Sequence, residues 1–252
     1  MQTHSTGIRN LNIDQYKKIE VSFPPIPEQQ RIVRILDEAF AGIAVARANA
    51  EKNLQNAHEV FESYLNEVFT QRGEGWVKTT VDKLSTNLDS KRIPVTKSDR
   101  KNGQYPYYGA SGIVDYVSDY IFEGDNLLVS EDGANLLMRS TPIAFSVSGR
   151  YWVNNHAHIL HFSNIDTQRY VEFYLESIKI DGYITGTAQP KLNQQALNSI
   201  PIPIPKSIDS QRIIVNRIIT LMDKTKHLES NYQRKLIALD LLRQSVLNKA
   251  FT

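Results

Sequence analysis

Five cations fall within eleven residues: Lys91, Arg92, Lys97, Arg100 and Lys101. The run Tyr105-Pro106-Tyr107-Tyr108-Gly109-Ala110-Ser111-Gly112 follows at once. Cations at this density hold phosphates, and tyrosines beside small hydroxyls suit a groove. A solvated loop followed by a packed aromatic strand uses the same residues equally well, so both readings stand. A second stretch carries Asp115, Asp119, Glu123, Asp125, Glu131 and Asp132 with no Lys or Arg between them. Six carboxylates repel a polyanion, so this stretch is expected to face away from one, as a solvated acidic surface. Oxygen ligands suit Mg²⁺, but the spacing matches neither a calcium loop nor a paired-carboxylate nuclease.

The third stretch is Asn154-Asn155-His156-Ala157-His158. On a strand His156 and His158 share one face at period two, as metal-binding imidazoles do. There is no cysteine in the chain and no evident third ligand. Asn155 and His156 therefore read better as polar scaffold or base-edge readers, since asparagine matches the N6/N7 pattern of adenine. The fourth is the polar loop Tyr183-Ile184-Thr185-Gly186-Thr187-Ala188-Gln189-Pro190-Lys191-Leu192-Asn193. Nucleophile elbow, phosphate loop, dinucleotide fingerprint and metalloprotease helix are all missing from the sequence. The residue pattern points to recognition rather than chemistry.

The elements that must position these residues are organised by an internal repeat. Gln30-Arg31-Ile32 returns as Gln211-Arg212-Ile213, and Leu11-Asn12, Ile19 and Pro24 return as Leu192-Asn193, Ile200 and Pro205, an offset of 181. Leu65-Asn66 and Phe69-Thr70 return as Leu247-Asn248 and Phe251-Thr252, an offset of 182. Self-similarity of this kind takes precedence over local assignments.

Within the repeat, 28–71 carries the apolar seam Ile32, Leu36, Ala39, Ile43, Ala46, Ala50, Leu54, Ala57, Phe61, Tyr64 and Val68, a heptad pattern with one four-residue stutter. Such a helix is on the order of 60 Å long. Adding 182 gives the seam of a second helix over 209–252, with leucines at 221, 228, 236 and 239 opposite the alanines of the first, and misfits at Thr225 and Arg243. The first segment has net charge −3 over 28–70 and the second +4 over 209–252. Small against large side chains and opposite charges predict that the two helices pair with each other.

Residues 72–208 between them read as a mixed globule. Strands are expected at Ile113–Val117, Asn126–Ser130, Ile143–Val147 and His158–Phe162, a helix at Asp166–Ile180, and an extended edge at Ile200–Pro205. Before the first helix, Leu11–Asp14 reads as a turn or short helix. Ile19, Val21 and Phe23 alternate as a strand, and Pro24-Pro25-Ile26-Pro27 as a stiff connector.

Composition sets the outer limits. The 252 residues are 41% hydrophobic and 22% charged, with net charge +2, which alone announces no nucleic-acid partner. No apolar run approaches the roughly 20 residues of a membrane span. The absence of cysteine makes the cytoplasm the default expectation.

Three further stretches complete the picture: Pro24-Pro25-Ile26-Pro27-Glu28-Gln29-Gln30-Arg31-Ile32 leading into a long helix, Glu131-Asp132-Gly133-Ala134-Asn135-Leu136, and Trp152-Val153-Asn154-Asn155-His156-Ala157-His158. Together with Tyr107-Tyr108-Gly109-Ala110-Ser111-Gly112-Ile113 they resemble the DNA-specificity subunit of type I restriction–modification enzymes. The resemblance spans nearly the whole chain. It implies an α+β fold in which one mixed α/β target-recognition domain sits between two long helices paired as an antiparallel coiled coil. It divides the chain into 1–27, the distal part of a first recognition domain, then 28–71, a spacer helix, 72–208, the recognition domain, and 209–252, the second spacer helix.

Function is implied likewise. The subunit reads one half of a bipartite target in double-stranded DNA and docks methyltransferase subunits, which associate in turn with a motor–nuclease subunit. It catalyses nothing and binds no cofactor or metal itself, S-adenosylmethionine, ATP and Mg²⁺ belonging to its partners. The DNA-binding residues so implied are Lys91, Arg92, Lys97, Arg100, Lys101, Tyr107, Tyr108, Ser111, Arg139, Asn154, Asn155, His156, Thr187, Gln189 and Lys191. The segment before the first helix suggests self-association that restores a two-domain particle. Two other classes compete: a non-DNA interaction module on a coiled-coil stalk, and a metal-dependent nuclease using His156, His158 and the acidic stretch.

Overall fold

The computed structural model describes residues 2–3, 9–20, 22–70, 73–186 and 188–251. The chain divides into two compact units, 1–55 with 229–252, and 56–228. The elements in order are β1 (Gln2–Thr3), β2 (Arg9–Asn10), α1 (Ile13–Tyr16), α2 (Ile26–Thr70), β3 (Trp76–Thr80), α3 (Val81–Leu84), β4 (Thr86–Asn87), β5 (Asn102–Gly109), β6 (Gly112–Val117), β7 (Phe122–Glu123), β8 (Asn126–Ser130), α4 (Asn135–Met138), β9 (Ala144–Val147), β10 (Arg150–Val153), β11 (Ala157–His161), α5 (Ile165–Ser177), α6 (Gln194–Ser199), β12 (Pro201–Pro205) and α7 (Ile208–Phe251).

In the first unit α2 and α7 run antiparallel. Arg47 of α2 pairs with Asp240 of α7, and the guanidinium of Arg243 lies 5.7 Å from the ring centre of Phe40, so rising numbers on one helix meet falling numbers on the other. Ile32, Leu36, Ala39, Ile43 and Ala46 are half-buried and Ala50 is closed off completely, while Ile35, Gly42 and Val45 between them are exposed. An alanine with no exposed surface marks the close approach that a seam of small side chains permits. On α7 the seam holds at Tyr232, Leu236, Leu239, Val246 and Ala250, but Leu228 and Arg243 face solvent. The Arg47–Asp240 pair joins a cation of the net-acidic helix to an anion of the net-basic one, so net charge does not dictate this contact.

Helix α2 begins two residues earlier than expected. Pro27 falls in its first turn, where the missing N–H costs no helical bond and the fixed φ suits the helix. The strand expected over Ile19–Phe23 is not formed by Ile19, Glu20, Ser22 or Phe23, and Val21 lies outside the described residues. A strand needs a neighbour to take its ladder bonds, and none of these four described residues is paired with one.

The second unit holds the globule together with the adjoining parts of α2 and α7. Its central sheet has the order β4-β11-β8-β9, all antiparallel, and a second sheet has the order β6-β5-β10-β7. All five residues of β8 are buried because both of its faces are covered. Leu127 and Val129 face a core containing Leu65 and Phe69 of α2, Tyr170 and Leu175 of α5, and Val215 and Ile218 of α7. Leu128 faces a smaller core with Phe122, Tyr151, Val153 and Ile159. Strand β10 runs parallel to β5, setting Trp152 beside Tyr107 and Val153 beside Tyr108. Neither β10 nor β7 is anticipated by sequence alternation, since β7 is two residues long and Arg150-Tyr151-Trp152-Val153 does not alternate.

The edge Ile200–Pro205 becomes β12, antiparallel to β3 with Ile202 opposite Thr79 and Ile204 opposite Val77. In a strand the N and O of one residue point to the same side, so the prolines direct their missing donors away from β3. Their carbonyls on that side are satisfied by side chains: Tyr174 donates to Pro201 O at 2.9 Å, Tyr170 to Pro203 O at 2.7 Å and Gln211 Nε2 to Pro205 O at 2.8 Å. Proline at every second position thus fits a strand with a ladder on one edge and side-chain donors on the other.

A candidate nucleic-acid interface

The basic loop 91–101 is fastened from beneath by aromatic side chains. Trp152 Nε1 donates to Ile93 O at 2.6 Å, and the Tyr107 hydroxyl meets Val95 at both N (3.1 Å) and O (3.3 Å). Arg100 stacks 4.4 Å from the centre of the Tyr107 ring and pairs with Asp115 at 3.2 Å. Lys91, Lys97 and Lys101 are left exposed on the fastened loop.

Beside it, four chain segments meet around a buried ionic cluster. Asp89 accepts from Ile159 N at 2.8 Å and Asn87 Nδ2 at 3.0 Å, and it also meets His158 Nδ1 at 2.5 Å. His158, with almost no exposed surface, donates through Nε2 to Leu192 O at 2.7 Å. Glu131 binds Arg92 at 2.6 Å and Lys191 at 3.1 Å, and Arg92 also donates to Ala157 O at 2.8 Å. Backbone bonds from Leu192 N to Glu131 O, Glu131 N to His156 O and Gly133 N to Pro190 O lock the same loops. Segments 89–92, 131–133, 154–158 and 190–192 are therefore one hydrogen-bonded assembly. Buried polar groups in such networks are costly unless all are satisfied.

The assembly supports an exposed rim. His156 faces both carboxylate oxygens of Asp132 at 2.9 Å, and its N–H donates to Asn154 Oδ1 at 2.8 Å. Asn154 in turn donates its backbone N–H to Tyr108 O at 3.0 Å. A cleft of about 210 Å³ lies between Thr96 and Arg100 on one side and Asn155 and His156 on the other, with Tyr107 at its base. Ser111, Asn155, Gln189 and Lys191 are exposed.

The implied DNA-binding residues thus divide by environment. Lys91, Lys97, Lys101, Ser111, Asn155, His156, Gln189 and Lys191 present side chains to solvent. Tyr107, 1% exposed, and the buried Asn154 are struts rather than contacts, Tyr108 packs against Phe145 and Tyr151, and Arg92 and Arg100 are committed to internal carboxylates. Arg139 belongs elsewhere. It donates to Leu175 O at 3.2 Å and Ile178 O at 2.8 Å, the C-terminal end of α5, where a cation complements the helix dipole. Thr187 lies outside the described residues.

Two expectations are corrected. The acidic stretch is not a uniformly solvated face, because Asp115, Glu131 and Asp132 pair with Arg100, Arg92 and His156 of the candidate surface. The shared histidine face is not formed either. His158 points into the cluster, whereas His156 precedes β11 and is exposed. Asp89, Glu131 and His158 bring ligand atoms within 4.8 Å of one another. Arg92 lies 2.6 Å from Glu131 and 3.6 Å from Asp89, so a guanidinium already supplies positive charge there. This donor set does not fit a metal-dependent nuclease. Asp89 is a supporting residue that the sequence reading does not single out, whereas His158, read there as a metal-ligand candidate, serves the buried cluster instead. The closeness of Asp89 to the basic stretch is the one signal of it in the sequence.

Burial would raise the Asp89 carboxyl, but the hydrogen bond and charge of His158, with Ile159 N and Asn87, hold it below its ordinary range. Burial acts the same way on Glu131 and is outweighed by Arg92, His158 and Lys191. Both groups bind protons less tightly folded than unfolded, so their stabilisation is complete above about pH 4.5 and is lost as pH falls through the depressed values. Urea unfolding measured between pH 6 and pH 3 should show this acid limb. Asp89→Asn should be less stable at pH 6 and show a shallower limb.

Comparison with known proteins follows the same outline. A family model described as the type I restriction modification DNA specificity domain matches residues 1–54 and 73–236. A protein of Haemophilus influenzae that carries the provisional name of type I restriction enzyme specificity subunit is 36% identical over 125 residues, 50% of this chain and 32% of its own length. Among solved structures, a chain from a type I R-M system studied for complex assembly and conformational transition superposes with TM-score 0.75 at 16% identity, covering 92% of this chain and 60% of that one. The HsdS subunit of Thermoanaerobacter tengcongensis gives TM-score 0.64 at 16% identity, covering 99% and 64%. The S subunit of M. genitalium gives 0.56 at 18%, covering 99% and 67%. The chain therefore spans about a third of the curated relative and roughly two thirds of the solved ones.

Proposed function

Since this chain belongs to the type I restriction–modification DNA specificity family, we propose that it is a non-catalytic subunit that reads one half of a bipartite target in double-stranded DNA. One observation carries the reading. Three exposed lysines stand on a loop fastened by Trp152 and Tyr107, beside a rim bearing Asn155, His156, Ser111 and Gln189. Charge on a held loop positions a duplex through its phosphates, and the adjacent amide and imidazole groups supply hydrogen bonds of the kind that distinguish base edges.

Docking of methyltransferase subunits, and of a motor–nuclease subunit through them, is part of the proposal. A groove of about 1060 Å³ between residues 56–67 of α2 and 213–224 of α7 supports it. Val60, Tyr64, Ile213 and Leu221 line its apolar centre, with Arg217 and Lys224 at its margin. S-adenosylmethionine, ATP and Mg²⁺ are assigned to those partners, and the cytoplasm is the compartment in which they would meet. Among the described residues no helix is long and apolar enough to cross a membrane.

The test is selection from a randomised duplex library at several salt concentrations. The expected outcome is enrichment of one short motif, with affinity that falls steeply as salt rises. Binding that ignores both sequence and salt would leave the interaction-module reading in its place.

A further inference from the structure

We propose that Asp132 is a positioning residue for base reading. It keeps a proton on Nδ1 of His156, so that Nε2 meets the duplex as a hydrogen-bond acceptor and selects adenine or cytosine. The inference rests on the DNA-reading function proposed above and adds to it the chemistry of one contact.

The pair is arranged to orient the ring. Nδ1 of His156 lies 2.9 Å from both carboxylate oxygens of Asp132. An ionised carboxylate only accepts, so the proton of that bond sits on Nδ1. In a neutral imidazole the other nitrogen is then an acceptor. Among the described residues Nε2 has no hydrogen-bond or ion-pair partner. The Asp132 side chain is largely covered, 16% exposed, whereas that of His156 is 47% exposed and lines the cleft beside Asn155 and Thr96.

Both members are fixed from behind. His156 N donates to Asn154 Oδ1 at 2.8 Å, and Glu131 N donates to His156 O at 2.8 Å. Asp132 bridges to Lys191 through the backbone, and Gly133 N donates to Pro190 O at 3.0 Å. The ring is thus oriented before any duplex arrives, as a discriminating contact requires. Neighbouring charges are committed to one another, Glu131 to Arg92 and Lys191, and Arg100 to Asp115. Asp132 serves the imidazole.

What such an acceptor recognises follows from the base edges. In the major groove only adenine N6 and cytosine N4 donate. Guanine and thymine present oxygen or nitrogen acceptors there, which would meet Nε2 lone pair to lone pair.

The test joins nitrogen-15 spectra of the imidazole in the full chain at about pH 8 with selection from a randomised duplex library. The spectrum should show His156 protonated on Nδ1 and bare on Nε2, and Asp132→Ala should let the proton pass to Nε2. A proton on Nε2 in the parent chain would overturn the proposal. In the selection, one motif position should hold adenine or cytosine. Asp132→Ala and His156→Asn should each lose roughly tenfold of the discrimination at that position, about one hydrogen bond, while affinity for random duplex stays within about twofold. His156→Asn keeps an N–H for Asp132 but has no atom in the place of Nε2. Preferences unaltered at every position, or a uniform loss across all sequences, would overturn the proposal and leave DNA reading in place. A parent chain that selects no motif would overturn both.

Discussion

Replacing Arg92 by alanine should lower the unfolding free energy of the 56–228 unit by about 3–5 kcal/mol, the usual cost of removing one member of a buried ion pair. Arg92 stands between Glu131 and Asp89, its side chain 14% exposed and theirs 12% and 7%. Without it two carboxylates remain in a poorly hydrated pocket with the His158 imidazole and Lys191 as their remaining partners. At roughly 2 kcal/mol per molar urea, the unfolding midpoint should move down by more than 1 M. Lys91→Ala, one residue away and exposed, should stay within about 0.5 kcal/mol of the parent. The pair of variants separates a strut from a contact. An Arg92→Ala protein as stable as the parent but uniformly weaker on DNA would make Arg92 a phosphate ligand and the network account wrong.

The second large effect is expected on binding rather than stability. In the combined variant Lys91→Ala, Lys97→Ala, Lys101→Ala, three exposed cations are lost from a loop whose fastening by Trp152 and Tyr107 is untouched. If each neutralises one phosphate, the slope of log affinity against log salt should fall by roughly 3 and affinity near 0.15 M salt by about a hundredfold. The loss should be the same for preferred and random duplexes, because phosphate contacts carry no sequence information. A changed order of preference among duplexes would show that one of these lysines reads a base. An unchanged salt slope would show that the loop does not face the backbone.

Much of the fold was legible because periodicity is a local property. The seam from Ile32 to Val68 and its echo in α7 needed only residue spacing, and β8 lay where Asn126–Ser130 was expected. Strand β10 was not legible. Its pairing with β5 is parallel and non-local, and Arg150-Tyr151-Trp152-Val153 shows no alternation to announce it. Ile19, Glu20, Ser22 and Phe23 depart in the opposite sense, lying in a clear strand pattern without forming a strand. The alternation of Ile19 and Phe23 is the same signal as that of Ile200 and Ile204, of which the latter belongs to a strand laddered to β3.

The candidate site followed the same division. By itself the sequence determined which residue types were available: the five cations, the tyrosine run, the Asn-Asn-His stretch and the carboxylates. It could not determine which of them would be used against one another. Only the tertiary structure decided that Arg92 and Arg100 turn inward to Glu131 and Asp115, that Tyr107 holds a loop, and that Arg139 ends a helix. The reason is physical. A charge in a chain has no fixed worth until its distance to other charges and to water is set, and those distances are created by strands far apart in sequence.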